Sequence, residues 1–118
     1  MLYERTDNMP RVGIATTNGT DIDEHFGHAK FFRIYDLTDD GYTYAELRDA
    51  VAACQHSLGH DTTRFDKIIE LLTDCDAIFV ERIGPGAAAY LIEKGVRVFE
   101  VNGSIDAVLS KFISDKIV

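Results

Sequence analysis

The chain has 118 residues, 46% of them apolar and 27% charged, which is enough for one closed core and one domain. A formal charge of −8 and a pI near 4.8 argue against nucleic acid or an anionic membrane as partner, because either needs clustered Lys and Arg to displace counterions. No apolar run approaches the roughly 20 residues of a bilayer span, and Met1 to Asp7 lack the basic-then-apolar order of a signal peptide. A cytoplasmic protein with two unpaired thiols, Cys54 and Cys75, is therefore expected.

Residues 1–10 are polar, aperiodic and closed by Pro10, and read as a flexible leader before a domain at residues 11–118. Arg11 to Thr16 is a short apolar run ended by the turn-forming Thr17-Asn18-Gly19-Thr20, as in a central strand covered on both faces. Asp21 to Ala29 reads as a loop bearing His25, His28 and three acids. Phe31 to Leu37, aromatic and β-branched, is a second strand. Asp39-Asp40-Gly41 predicts a hairpin turn, and Tyr42 to Leu47 alternates like a half-exposed edge strand. Residues 49–61 show no sustained period and hold Cys54, His56 and His60. From a cap at Asp61 or Thr62, Phe65, Ile68, Ile69 and Leu72 fall on one helix face. Ala77 to Val80 is a buried strand. Gly84-Pro85-Gly86 opens a helix expected to turn Ala88, Leu91 and Ile92 inward, with Gly95 as its stop. Val96 to Val101 is the last strand, and Ser104 caps a helix burying Ile105, Val108, Leu109, Phe112 and Ile113.

The order β-β-β-α-β-α-β-α predicts an α/β domain, a five-stranded mixed sheet flanked by helices, with spatial order 3-2-1-4-5. In that arrangement the connections leaving strands one, three and four emerge at one end of the sheet. They bring His25, Cys54, His56, His60 and the Gly84 to Gly86 turn together where the strand order reverses, which is where open α/β sheets bind ligands. Thiolate and imidazole suit iron, zinc or copper better than magnesium or calcium. Donors taken from loops suit a guest that leaves again, although such residues also populate ordinary polar loops. The first-turn amides after Gly84 favour an anion, while Gly and Pro equally make a tight turn. Cys75, next to a buried strand, reads as a small apolar core residue. Asp21, Asp23 and Glu24 offer a divalent-ion site or a solvated loop.

The runs Val12-Gly13-Ile14-Ala15-Thr16, His25-Phe26-Gly27-x-Ala29-x-x-Phe32-x-Ile34-Tyr35, Asp74-Cys75-Asp76-Ala77, Ile83-Gly84-Pro85-Gly86-Ala87 and Gly95-Val96-x-Val98-Phe99 resemble the dinitrogenase iron–molybdenum cofactor-binding domain. The resemblance covers residues 11–113. It is the domain of the accessory proteins NifX and NafY and of the NifB C-terminus, and it implies a ribonuclease H-like motif. The implied role is to carry an iron–sulfur cluster, the iron–molybdenum cofactor or its precursor, during nitrogenase cofactor assembly. His25 corresponds to the family's prime ligand candidate. Cys54, His56 and His60 match a Cys-His-Gly-Gly-His type loop only approximately, since this chain reads Cys-Gln-His-Ser-Leu-Gly-His.

The first expectation is thus a non-catalytic carrier. His25, Cys54, His56 and His60 would supply metal ligands, Gly84 and Gly86 would contact the cofactor, and cofactor-donating and cofactor-accepting proteins would be its partners. The alternative is a mononuclear metal-binding or redox-sensing module unrelated to nitrogen fixation. A metal-dependent hydrolase on Asp21, Asp23, Glu24 and Glu81 is the remaining class. Nuclease chemistry on a ribonuclease H-like sheet needs carboxylates on the first strand, and Arg11 to Thr16 has none.

Overall fold

The computed structural model describes residues 10–38, 41–50 and 61–115. The expected leader, the turn at Asp39 and Asp40, and the stretch with Cys54, His56 and His60 lie outside them, as do the side chains of the predicted cap and of Phe65.

Five strands form the main sheet: β1 (Arg11–Ala15), β3 (Phe31–Leu37), β4 (Tyr42–Asp49), β5 (Ala77–Val80) and β6 (Arg97–Glu100), in the order β4-β3-β1-β5-β6. β3 is antiparallel to β1 and to β4, whereas β5 and β6 run parallel to β1. Successive residues of a strand face opposite sides of a sheet. Val12, Ile14, Ala77 and Phe79 accordingly join a core on one face, and Ala15, Ile78 and Val80 join a core on the other. The first of these cores packs on α3 (Ile105–Ser114) through Ile105, Leu109 and Phe112. The second packs on α1 (Asp61–Leu72) and α2 (Pro85–Glu93) through Ile68, Ile69, Leu72 and Leu91. Both faces are covered, which is why β1 and β5 read as unbroken apolar runs.

Gly13 lets α1 lie close. A Cβ there would stand 3.2 Å from Leu72 Cδ2 and 3.6 Å from Cys75 Sγ. α2 ends at a left-handed Gly95 (φ 93°), and Ser104 Oγ caps α3 by accepting from the Ala107 amide at 3.1 Å.

Three features differ from the expectation. The link from β1 to β3 is not a plain loop, because β2 (Asp21–Ile22) pairs antiparallel with β7 (Gly103–Ser104). That two-residue ribbon buries Ile22 completely and ties the link to the start of α3. Second, Ile92 is 59% exposed instead of inward. Leu91 and the half-buried Ala87 fill the core-facing stripe of α2. One residue further, the helix turns by about 100°, and Ile92 lines a groove of about 370 Å³ with Pro85, Val98 and Glu100. Third, β4 is an edge strand whose burial does not alternate, and Tyr44 and Leu47 are both about half exposed.

Around Asp74, just before β5, four chain segments are pinned by charge. The Arg48 guanidinium donates to both Asp74 oxygens, at 2.6 and 2.9 Å, and to the Leu71 carbonyl at 2.6 Å. Arg11 bonds Asp36 and reaches Asp74 at 3.3 Å. Hydrogen bonds from Arg48, with its charge and that of Arg11, hold the Asp74 carboxyl down at about 2.

Candidate functional site

The rim at the C-terminal ends of β1 and β5 is built by side chains that accept from backbone amides. Thr16 Oγ1 accepts from the Gly19 amide at 2.9 Å, and Asn18 Oδ1 accepts from the amides of Thr20 and Asp21 at 2.8 and 2.9 Å. Asp23 accepts from the Thr17 amide and hydroxyl at 2.9 and 2.7 Å. Asp21 accepts from the Asn18 side-chain amide. All three acids offered as an ion site are therefore engaged locally, Glu24 by accepting from the His25 amide at 3.1 Å.

The chain then lies against the continuation of β5. The Glu81 amide donates to the Glu24 carbonyl at 3.0 Å, the Phe26 amide donates to the Arg82 carbonyl at 2.8 Å, and His25 and Arg82 face each other as a parallel bridge. A one-turn 3₁₀ helix, Phe26–His28, follows. Phe26 is 1% exposed and Ala29 fully buried, with the Phe26 ring 6.0 Å from that of Phe32. These two inward residues set the phase of the turn. His25 and His28, three positions apart, are left on its outer side, where residues i and i+3 of a 3₁₀ helix eclipse.

Both histidines are exposed, and their rings stack with centroids 5.5 Å apart and planes 9° apart. Glu81 Oε1 lies 3.9 Å from His25 Nε2. That is too far for a hydrogen bond. His28 is the residue that reasoning from the sequence left out of the site. The signal was the His-x-x-His spacing around an apolar Phe and Ala, which a 3.6-residue period hides and a three-residue period exposes.

The second wall is the start of α2. Because His25 bridges Arg82, the Gly84 to Gly86 turn lies only two residues away along the same rim. The Ala88 amide makes the first helical bond, to the Gly84 carbonyl, so the amides of Gly86 and Ala87 precede the helical ladder. The Ile83 amide is already taken by Glu100 Oε2 at 2.9 Å. Gly27, Gly84 and Gly86 all have ample room for a Cβ, and none has a positive φ. Neither crowding nor backbone strain within the described residues accounts for glycine at these three rim positions.

The structure thus brings together His25, His28, Gly84 and Gly86. Cys54, His56 and His60 lie outside the described residues; the chain is last described at Ala50, whose amide donates to the Lys30 carbonyl at 2.8 Å, two residues from His28. Cys75 is away from this rim and 4% exposed, and burial pushes its thiol up to about 12. It is a core residue with an inert thiol. Among the described residues no group of three His, Cys, Asp or Glu is set to hold a metal ion, and no helix is long and apolar enough to cross a membrane.

Comparison with known proteins agrees with this geometry along nearly the whole chain. The family model described as dinitrogenase iron-molybdenum cofactor matches residues 9–115. The NifX protein of Sinorhizobium fredii is 30% identical over 115 residues, 93% of this chain and 72% of that one. The FeMo cofactor biosynthesis protein NifB of Bradyrhizobium diazoefficiens is 38% identical over 85 residues, 72% of this chain, and the match spans only 17% of NifB. Among solved structures, the apo orange protein of Desulfovibrio gigas superposes with a TM-score of 0.67 at 19% identity, covering 92% of this chain and 91% of that one; that likeness concerns the fold. With the five-stranded mixed sheet, the His-Phe-Gly turn clamped beside the Gly-Pro-Gly turn, and a family match over residues 9–115, the chain belongs to the dinitrogenase iron-molybdenum cofactor family.

Proposed function

We propose that this protein is a non-catalytic carrier of an iron–sulfur cofactor, the iron–molybdenum cofactor or a precursor of it, and that it hands this cargo between assembly proteins in the cytoplasm. The reading rests on family membership, and within the molecule on one observation. A solvent-facing imidazole, His25, stands between two backbone hydrogen bonds made by its neighbours Glu24 and Phe26, beside three glycines that neither crowding nor a positive φ requires. Backbone left bare on a rim admits close approach of a bulky inorganic body.

His25 supplies an imidazole nitrogen to an iron of the cargo. Cys54, His56 and His60 follow Ala50 closely enough in sequence to add a thiolate and further nitrogens. The Gly86 and Ala87 amides, at the positive end of the α2 dipole, offset cluster charge. Sparse ligation favours release, which a carrier needs and a resident redox centre does not. Nothing among the described residues favours the mononuclear alternative.

The test is anaerobic incubation with iron–sulfur cofactor followed by gel filtration. The wild-type chain is expected to elute as a brown complex and His25→Ala to lose most of the colour. Equal retention by the variant removes His25 from the site.

A further inference from the structure

We propose that His28 is a second nitrogen donor to the same cargo and that His25 and His28 each take a different iron, so that the pair selects a multi-iron cluster over a single ion. The inference rests on the carrier reading above and adds to it a residue and a preference.

The phase of the turn makes the first part of the case. With Phe26 and Ala29 anchored in the core, the one-turn 3₁₀ helix leaves residues 25 and 28 on its outer side. Their rings stack at 5.5 Å and 9°, above the same stretch of rim. No described residue hydrogen-bonds the His28 ring, and its stacking on His25 is its one described side-chain contact. A histidine that served the fold would show a partner for its polar edge; this one presents that edge to solvent beside a proposed ligand.

Spacing makes the second part. Two nitrogens on one tetrahedral ion, each about 2.0–2.1 Å from the metal, stand roughly 3.3 Å apart and approach it from converging directions. The ligating lone pair of an imidazole lies in its ring plane, and two rings stacked with centroids 5.5 Å apart and planes only 9° apart have no nearby point common to both planes for one ion to occupy. In a [4Fe–4S] cluster each iron takes one terminal protein ligand, so ligands to neighbouring irons stand further apart than ligands sharing one. The stacked pair suits the second arrangement. Glu81 Oε1, 3.9 Å from His25 Nε2, does not complete a single-ion site: among the described residues no group of three His, Cys, Asp or Glu is set to hold a metal ion.

The experiment uses the full chain, loaded anaerobically with a synthetic [4Fe–4S] cluster bearing labile thiolates, and compares wild type with His28→Ala and His25→Ala. Pulsed electron paramagnetic resonance on the reduced cluster, with ¹⁵N-histidine labelling, reads the number of coordinated imidazole nitrogens. Iron retained after desalting reads affinity, and zinc titration is the single-ion control. The expected result is at least two nitrogen couplings in wild type and one fewer in His28→Ala. Retention in that variant should weaken by at least the roughly tenfold that loss of even an outer-sphere partner costs a metal site, with zinc affinity unchanged. Both side chains are exposed, so the urea midpoint should not move.

Couplings and retention identical in wild type and His28→Ala overturn the inference while leaving the carrier reading intact, including the case in which two couplings persist because the second nitrogen comes from His56 or His60. A zinc site lost in His28→Ala with cluster retention unchanged overturns it in favour of single-ion binding. Failure of the wild-type chain to retain the cluster overturns the carrier reading and this inference with it.

Discussion

Replacing Phe26 by Ala tests whether the rim is anchored as described. The ring is 1% exposed, packs 6.0 Å from Phe32 and belongs to the core between the sheet and helices α1 and α2. Truncating a buried Phe to Ala costs about 3–5 kcal/mol in transfer and cavity terms. This site should fall at the low end, about 3 kcal/mol, because a three-residue turn settles into a cavity more readily than a strand does. The backbone bond from the residue 26 amide to the Arg82 carbonyl survives the substitution. A domain of this size has a urea m-value of about 1.5 kcal/mol/M, so the midpoint should drop by roughly 2 M with m unchanged. Equilibrium urea unfolding followed by far-UV circular dichroism measures this; the chain has no tryptophan to report. His25→Ala, exposed and adjacent, is the control and should stay within about 0.5 kcal/mol. A midpoint shift below about 0.5 M for Phe26→Ala would refute the claim that this ring holds the turn.

Gly27→Ala should leave stability within about 0.5 kcal/mol, since the new Cβ meets nothing within 4 Å, yet reduce retained iron after anaerobic loading; unaltered retention would mean the bare backbone is not approached. Gly13→Ala should destabilise by about 1 kcal/mol in thermal unfolding because fully buried Leu72 has to give way, and a neutral result would show that the helix has slack there. Asp74→Asn should cost on the order of 1 kcal/mol near neutral pH, after discounting for a half-exposed carboxylate. With the folded-state value depressed from 3.8 to about 2, that stability is fully present above pH 4 and is lost as pH falls toward 2. The melting curves of the two proteins should therefore converge in acid, and a constant gap would contradict the ion-pair origin. In a Cys54→Ser background, thiol reagents should label Cys75 only at the rate of unfolding, whereas rapid labelling at neutral pH would contradict its burial.

What the sequence disclosed follows from which forces act locally. Strands β1 and β5 are covered on both faces, so their apolar runs are continuous and readable. The parallel and antiparallel senses then follow from how long each connection is. β2 and β7 were invisible because two residues carry no period, and their pairing joins positions more than 80 residues apart. Ile92 was assigned inward from hydrophobicity alone, yet whether a helix flank is covered depends on where the sheet ends, a tertiary fact. At the site, His25 and the Gly84 to Gly86 turn were legible from composition and spacing. His28 was not, because its exposure depends on a 3₁₀ phase fixed by Phe26 and Ala29. The acids Asp21 and Asp23 looked available because their partners, Asn18 and Thr17, are polar residues with no pattern of their own.

The sheet divides the interior into two compartments, and the rim draws on both: Phe26, Ala29 and Ala50 pack on the α1 and α2 side, while Ile22, just before the His25 turn, packs on the α3 side. The two sides should therefore respond unequally to mutation. Substitutions around Phe112 should change stability alone, while repacking around Phe26 should change stability and the placement of both imidazoles together. An engineer seeking a hardier variant with an unaltered rim would start beneath α3 and leave Ile22 in place.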